Sequence, residues 1–163
     1  MSQEVEFEVR DRLSLAQMDD LVRMYGNEWW SNKRTRPDVE QMLLASDLLF
    51  AVVEKGSDAL AAFARVLTNR TYVALVLDVV VAPEYRGCGL GRLLLERICA
   101  EPALQNVASI ELHCQPEHIP FYRKWGFSEE VGRSRLMRRT SDPLLSDAAA
   151  QEAATADQGD GLT

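Results

Sequence analysis

The stretch Asp78 to Leu95, DVVVAPEYRGCGLGRLLL, restricts the fold more than any other part of the chain. An apolar run of valines and leucines stops at Pro83. Three glycines then alternate, Gly87, Gly89 and Gly91, behind Arg86, and a leucine-rich segment takes over. The order reads as a buried strand, a tight loop and a helix whose first turn is stripped of side chains. The first N–H groups of a helix lack intrahelical acceptors and sit at the positive end of its dipole. A bare first turn is therefore a site for phosphate.

The 163 residues, 47% of them hydrophobic, suffice for one domain with a proper core. We assign 1–140 to that domain and read the remainder, 141–163, as a mostly disordered acidic tail rich in Ala, Asp, Gln, Gly and Thr. The tail holds five acids (Asp142, Asp147, Glu152, Asp157, Asp160) and no base, whereas the rest balances 20 acids against 18 bases. A general nucleic-acid binder would need a basic face, and no such excess exists. No run of about 18 apolar residues is present, so no membrane span is expected. The opening residues, Met1 to Glu8, lack the basic and apolar regions of a secretory signal. Cys88, Cys99 and Cys114 show no paired spacing and suit reduced thiols, so the expected location is cytoplasmic.

Val5, Phe7 and Val9 alternate with charged residues and predict an opening strand. Ser14 can cap a helix carrying Leu15, Met18, Leu21, Val22 and Tyr25, ended by Gly26. A loop holding Trp29 and Trp30 leads to a short helix starting at Pro37. Two apolar runs, 48–53 and 59–67, flank Lys-Gly-Ser-Asp as a hairpin, and a long strand covers 72–81. After the glycines a helix runs to about Ala100. A strand over 107–114, a helix over 117–125 closed by Gly126, and a last strand or hairpin from Phe127 to Arg139 complete the order. The fold class is mixed α/β, with a mostly antiparallel sheet of six or seven strands and about four helices.

Three phosphate ligands compete for the loop. A Walker A loop needs a Lys and a hydroxyl residue that do not follow Gly91. A dinucleotide fingerprint needs Gly-x-Gly-x-x-Gly early in a βαβ unit, but here the glycines alternate and antiparallel strands precede them. The third reading fits. Arg86-Gly-Cys-Gly-Leu-Gly91 resembles the Arg/Gln-x-x-Gly-x-Gly/Ala motif of the GNAT family of N-acetyltransferases, and Phe121-Tyr122-Arg-Lys-Trp-Gly126-Phe127 resembles that family's Phe-Tyr-x-x-x-Gly-Phe helix end. The element order is similar too, so the likeness covers roughly Val5 to Arg139.

The resemblance implies acetyl-CoA as cosubstrate, no metal, and direct attack of an amine on the thioester. Val79, Val80 and Val81 would line the pantetheine arm, the strands splaying beside them. Arg86, Gly87, Cys88, Gly89, Leu90, Gly91 and Arg92 would hold the pyrophosphate, backbone N–H groups from Cys88 to Gly91 doing most of it. Tyr122 falls at the position of the usual general acid. Asp78, a lone acid in an apolar run, is either the general base or a structural carboxylate tied to an arginine such as Arg65. Glu111 and His113, two apart on one strand, are the other candidate bases. Adjacent His113 and Cys114 face opposite ways and cannot form a nucleophile–base pair. Trp29, Trp30 and Arg65 are the candidate acceptor contacts. A small-molecule primary amine, arylalkylamine or polyamine, leads. A protein N-terminus or lysine, or a non-catalytic acyl-CoA-binding module, are the alternatives, and a homodimer is common among such proteins.

Overall fold

The structure, a computed structural model, describes residues 5–148 and residue 152. Five strands form one sheet in sequence order: β1 (Phe7–Arg10), β2 (Leu48–Glu54), β3 (Leu60–Thr68), β4 (Val73–Val81) and β5 (Ser109–Leu112). The first four pair antiparallel and β5 joins β4 in parallel. The mixed α/β class and the mostly antiparallel sheet are as the sequence predicts. The chain order brings α1 (Leu15–Gly26) and α2 (Arg36–Leu44) before β2, and α3 (Leu90–Ala100) and the short α4 (Ile119–Arg123) around β5.

Local chemistry places each helix. Ser14 caps α1 by accepting the Gln17 N–H, and Gln17 returns the bond through its own side chain. The Gln17 amide then reaches Asp58 O in the β2–β3 turn at 2.9 Å, which ties the helix to the sheet. Thr35 and Asp38 repeat the same reciprocal cap on α2. Two apolar layers result. Leu21, Met24, Tyr25 and Val39 meet Ala51, Val53, Phe63 and Val80 on one face of the sheet. Leu90, Leu94, Leu95, Ile98 and Tyr122 meet Val52, Ala62, Ala64, Val76 and Val81 on the other.

The predicted sixth and seventh strands are not formed among the described residues. Residues 127–139 carry no ladder, and Val131, Leu136 and Met137 are exposed. The reason is patterning. Leu136 and Met137 are adjacent, so no extended register can bury both on one face, and Gly132 turns left-handed at φ 64° between them and Val131. The strand predicted over 107–114 also shortens to Ser109–Leu112. Of the tail, Asp142 caps a single turn, α5 (Pro143–Ser146), and Arg138 donates to Leu145 O at 3.0 Å. Residues 149–163, residue 152 apart, lie outside the described residues.

Leu94 is fully buried at the centre of the α3 layer. Leu94→Ala should cost about 2–5 kcal/mol in denaturant unfolding, while Met137→Ser, at an exposed position, should stay within about 0.5 kcal/mol of the parent.

Candidate active site

The cleft begins where β4 and β5 part. Their ladder runs from Val73–Ser109 to Val76–Leu112 and stops, while β4 continues five residues further. Ala82 N–H donates back to Ala61 O on β3 at 2.8 Å. Alternation along the strand therefore turns the Val81 and Val79 backbone N–H groups to the opposite, opened side. The side chains of Val80 and Val81 are buried in the two core layers and Val79 packs beside one of them, so these three residues can offer a ligand only main chain.

Directly ahead lies the glycine loop. Gly87 and Gly89 adopt φ 80° and 75°, a region costly for other residues, and a Cβ on either would meet nothing within 4 Å. Backbone conformation, not crowding, demands glycine there, and the space over the loop stays open. The first bond inside α3 runs from Leu93 N–H to Gly89 O, which leaves the Leu90, Gly91 and Arg92 N–H groups without intrahelical acceptors. This arrangement fits a pyrophosphate. Two details amend the sequence reading. The Cys88 N–H donates to Tyr85 O at 3.3 Å and so is already engaged. The Arg92 side chain lies along the exposed face of α3 on Glu96 at 2.9 Å, so only its backbone is turned to the loop.

Asp78 occupies the hinge of the cleft. β3 and β4 lose register between Phe63–Val80 and Arg65–Leu77, and Asp78 is the extra residue, bulged at φ 56°. Ala74 and Val76 face the α3 layer, as do Val79 and Val81, whereas Val80 faces α1. The bulge has shifted the phase. It turns Asp78 toward α1 and α2, the side opposite to the one regular alternation would assign.

There three side chains converge on its carboxylate. Arg34 binds it through both terminal nitrogens at 2.7 and 3.1 Å, Arg65 Nε donates at 2.6 Å, and the Tyr25 hydroxyl donates at 3.0 Å. The Asp78 side chain is only 6% exposed. Burial pushes its pKa up, but the hydrogen bonds and charges of Arg34 and Arg65 outweigh that and hold it below the ordinary carboxylate range. This wiring, with Arg65 among the donors, supports the anchoring alternative over a base. Burial and the neighbouring Asp78 charge hold the Tyr25 phenol far above its ordinary value, so it stays a donor. The Arg34 guanidinium lies over the Tyr25 ring at 4.5 Å and the Trp30 ring at 5.3 Å.

The loop between α1 and α2 reaches all three walls of the cleft. Glu28 pairs with Arg86 of the glycine loop at 3.2 Å. Trp29 Nε1 donates to the Gln115 amide oxygen at 2.6 Å, just past β5, in the Gln115 orientation that also satisfies Glu117. Arg34 holds Asp78 on β4. Arg86 thus pairs with Glu28, and its Nε is buried with no protein partner among the described residues. Tyr25, Glu28, Arg34 and Gln115 were not singled out from sequence. Each sits outside the motifs, and only the fold brings them together.

Tyr122 is 5% exposed, its ring edge-to-face with Phe121 and Phe127 at 5.1 and 6.0 Å. Burial, then the neighbouring Cys114, raises its pKa above the usual phenol range, so its proton is retained at neutral pH. Among the described residues no protein group accepts from its hydroxyl. Ile110 and Leu112 pack on the α3 layer, which turns Glu111 to the face shared with Asp78; both Glu111 and His113 are exposed.

Asp78→Asn tests the anchor, since asparagine tolerates the left-handed backbone and removes only the charge. At pH 7 it should cost about 3–5 kcal/mol by leaving two arginines without their counter-ion. A carboxylate with a lowered folded pKa stabilises above its unfolded value and loses that contribution as pH falls through the folded one. Unfolding curves for parent and variant should therefore converge only below about pH 4.

Comparison with known proteins follows the same outline. Residues 46–129 match the family model described as an acetyltransferase (GNAT) domain. GCN5-related N-acetyltransferase 1, chloroplastic, of Arabidopsis thaliana is 32% identical over 95 residues, 58% of this chain and 48% of that protein. Serotonin N-acetyltransferase 2, chloroplastic, of Oryza sativa subsp. japonica is 42% identical over 76 residues, 47% of this chain and 38% of that protein. The chain spans about half the length of the curated relatives it matches. A crystal structure of a Xanthomonas campestris pv. campestris protein assigned to the GNAT acetyltransferases superposes with a TM-score of 0.74 at 26% identity, covering 86% of this chain and 97% of that one. With half its length in the family model, the parted strands and the glycine loop in place, this chain belongs to the GNAT family of acetyltransferases.

Proposed function

We propose that the chain transfers acetyl from acetyl-CoA to a primary amine of a small molecule, by direct attack. The observation that carries this is the opening of β4 from β5 immediately ahead of a helix N-terminus cradled by left-handed glycines. Pyrophosphate would sit on the Leu90, Gly91 and Arg92 N–H groups, with Arg86 adding charge from its anchor on Glu28. Pantetheine would extend along the free edge of β4 and accept from or donate to the main chain at Val79 and Val81. One of those N–H groups would polarise the thioester carbonyl.

The amine nitrogen then bonds to the carbonyl carbon, and collapse of the tetrahedral adduct breaks the C–S bond. The thiolate takes the Tyr122 hydroxyl proton. The burial that raises the phenol also raises the basicity of a thiolate formed beside it, so the two shifts offset one another. Asp78 acts here as a positioning residue: it fixes Arg34, Arg65 and the loop bearing Trp29 and Trp30. The amine proton leaves through water toward Glu111, an acid turned to that same face. Trp30, beside Arg34, gives the acceptor an apolar or aromatic neighbour, and the rice relative named as a serotonin N-acetyltransferase supports an amine on an aromatic body. The three cysteines are free, as suits a reducing, cytoplasmic setting.

Tyr122→Phe should lower kcat by roughly 10²-fold while leaving acetyl-CoA affinity unchanged, measured by thiol release and by calorimetric titration. Unchanged turnover would remove Tyr122 from the mechanism, and failure to bind either acetyl-CoA or CoA would reject the transferase reading altogether.

A further inference from the structure

Two guanidinium groups share one carboxylate on the acceptor side of the cleft. Arg34 and Arg65 both bind Asp78, and the other groups touching the cluster are neutral: the Tyr25 hydroxyl, Met42 sulfur at 3.6 Å from Arg34, Ser46 Oγ, and the Trp30 ring. Of the acids on this side, Glu28 pairs with Arg86, Asp47 accepts the Thr68 N–H, and exposed Glu111 accepts from Ser109, so none of the three contacts Arg34 or Arg65. Within the contacting cluster itself, two guanidinium charges meet one carboxylate. Nor are the donors used up. Arg65 spends Nε on Asp78, reaches Ser46 with Nη1 only at 3.5 Å, and has no protein acceptor for Nη2 among the described residues. Solvent still reaches both side chains, 28% of Arg34 and 13% of Arg65.

The place of this surplus matters as much as its sign. Asp78 adjoins Val79, whose N–H faces the opened side of β4, so the cluster lies beside the point where the acyl group would be polarised. We propose that the acceptor carries a carboxylate close to its amine and that Arg65 and Arg34 receive that carboxylate, an inference that rests on the transferase reading above. A single surplus charge matches a monoanion, and the planar arginine fork matches a carboxylate edge. Trp30 flanks the rest of the molecule, so amino acids with apolar or aromatic side chains are the class that fits. A polyamine, cationic along its length, meets like charge in the same place and is excluded as a good acceptor.

The test compares amines that differ only in the carboxylate, with saturating acetyl-CoA and thiol release as readout: phenylalanine against phenethylamine, tryptophan against tryptamine, ornithine against putrescine, each on its free-base concentration. The carboxylated member should lead by roughly 10- to 100-fold in kcat/KM, the size of one good charge-assisted contact. Equal or faster turnover of the decarboxylated member overturns the inference. Arg65→Gln should bring the ratio toward one, and Arg34→Gln, at the more exposed partner, should do so if the first variant does not fold. A ratio unmoved in a folded variant also overturns it. Independently of chemistry, 3-phenylpropionate titrated against the tryptophan fluorescence of the unaltered chain should bind saturably and more weakly in added salt. No saturable binding overturns the inference even where amines turn over. Saturable binding with no thiol release from any amine supports the carboxylate site while rejecting the transferase reading, which separates the two failures.

Discussion

The buried carboxylate of Asp78 is the point on which the cleft depends. Its two arginines and one tyrosine come from β3, from the end of α1 and from the loop beyond, so one ionised group joins sheet, helix and loop. Such a cluster is a poor source of net stability, because desolvating three charges offsets much of their attraction. Its worth lies in geometry. A carboxylate that must be satisfied from all sides fixes where the loop can sit, and the loop carries Trp29 and Trp30.

That loop makes a second set of ties, and the pattern has a functional sense. Glu28 on Arg86 couples it to the glycine turn, and Trp29 on Gln115 couples it to the exit of β5. The glycine turn, β4 and the exit of β5 are thereby held by one short segment. A reaction that gains from bringing amine and thioester together needs that kind of rigidity more than it needs further catalytic groups. The β4 bulge contributes to the same end by turning Asp78 toward the α1–α2 face.

Much was legible from residues alone. The valine run, Pro83 and three alternate glycines dictate strand, loop and helix through local sterics. Ser14 marks the start of α1 because a cap is a contact three residues long, whereas the Thr35–Asp38 cap of α2 emerges only in the structure, the sequence reading starting that helix from Pro37. Tyr122 could be found by its motif. By contrast, residues 127–139 were read as a strand on composition, yet adjacent Leu136 and Met137 give no common face to bury. Position in the loop makes Arg92 a candidate ligand; in the fold its side chain pairs with Glu96 and its backbone N–H stays at the turn.

The sequence by itself determined most of the elements and the glycine turn, since both follow from forces between neighbours in the chain. Only the tertiary structure decided the cluster around Asp78. Tyr25, Arg34, Arg65 and Asp78 span 53 residues from first to last, and nothing local marks them as partners. The bulge that turns Asp78 toward the other three arises from strand register between β3 and β4, which is a property of the assembled sheet.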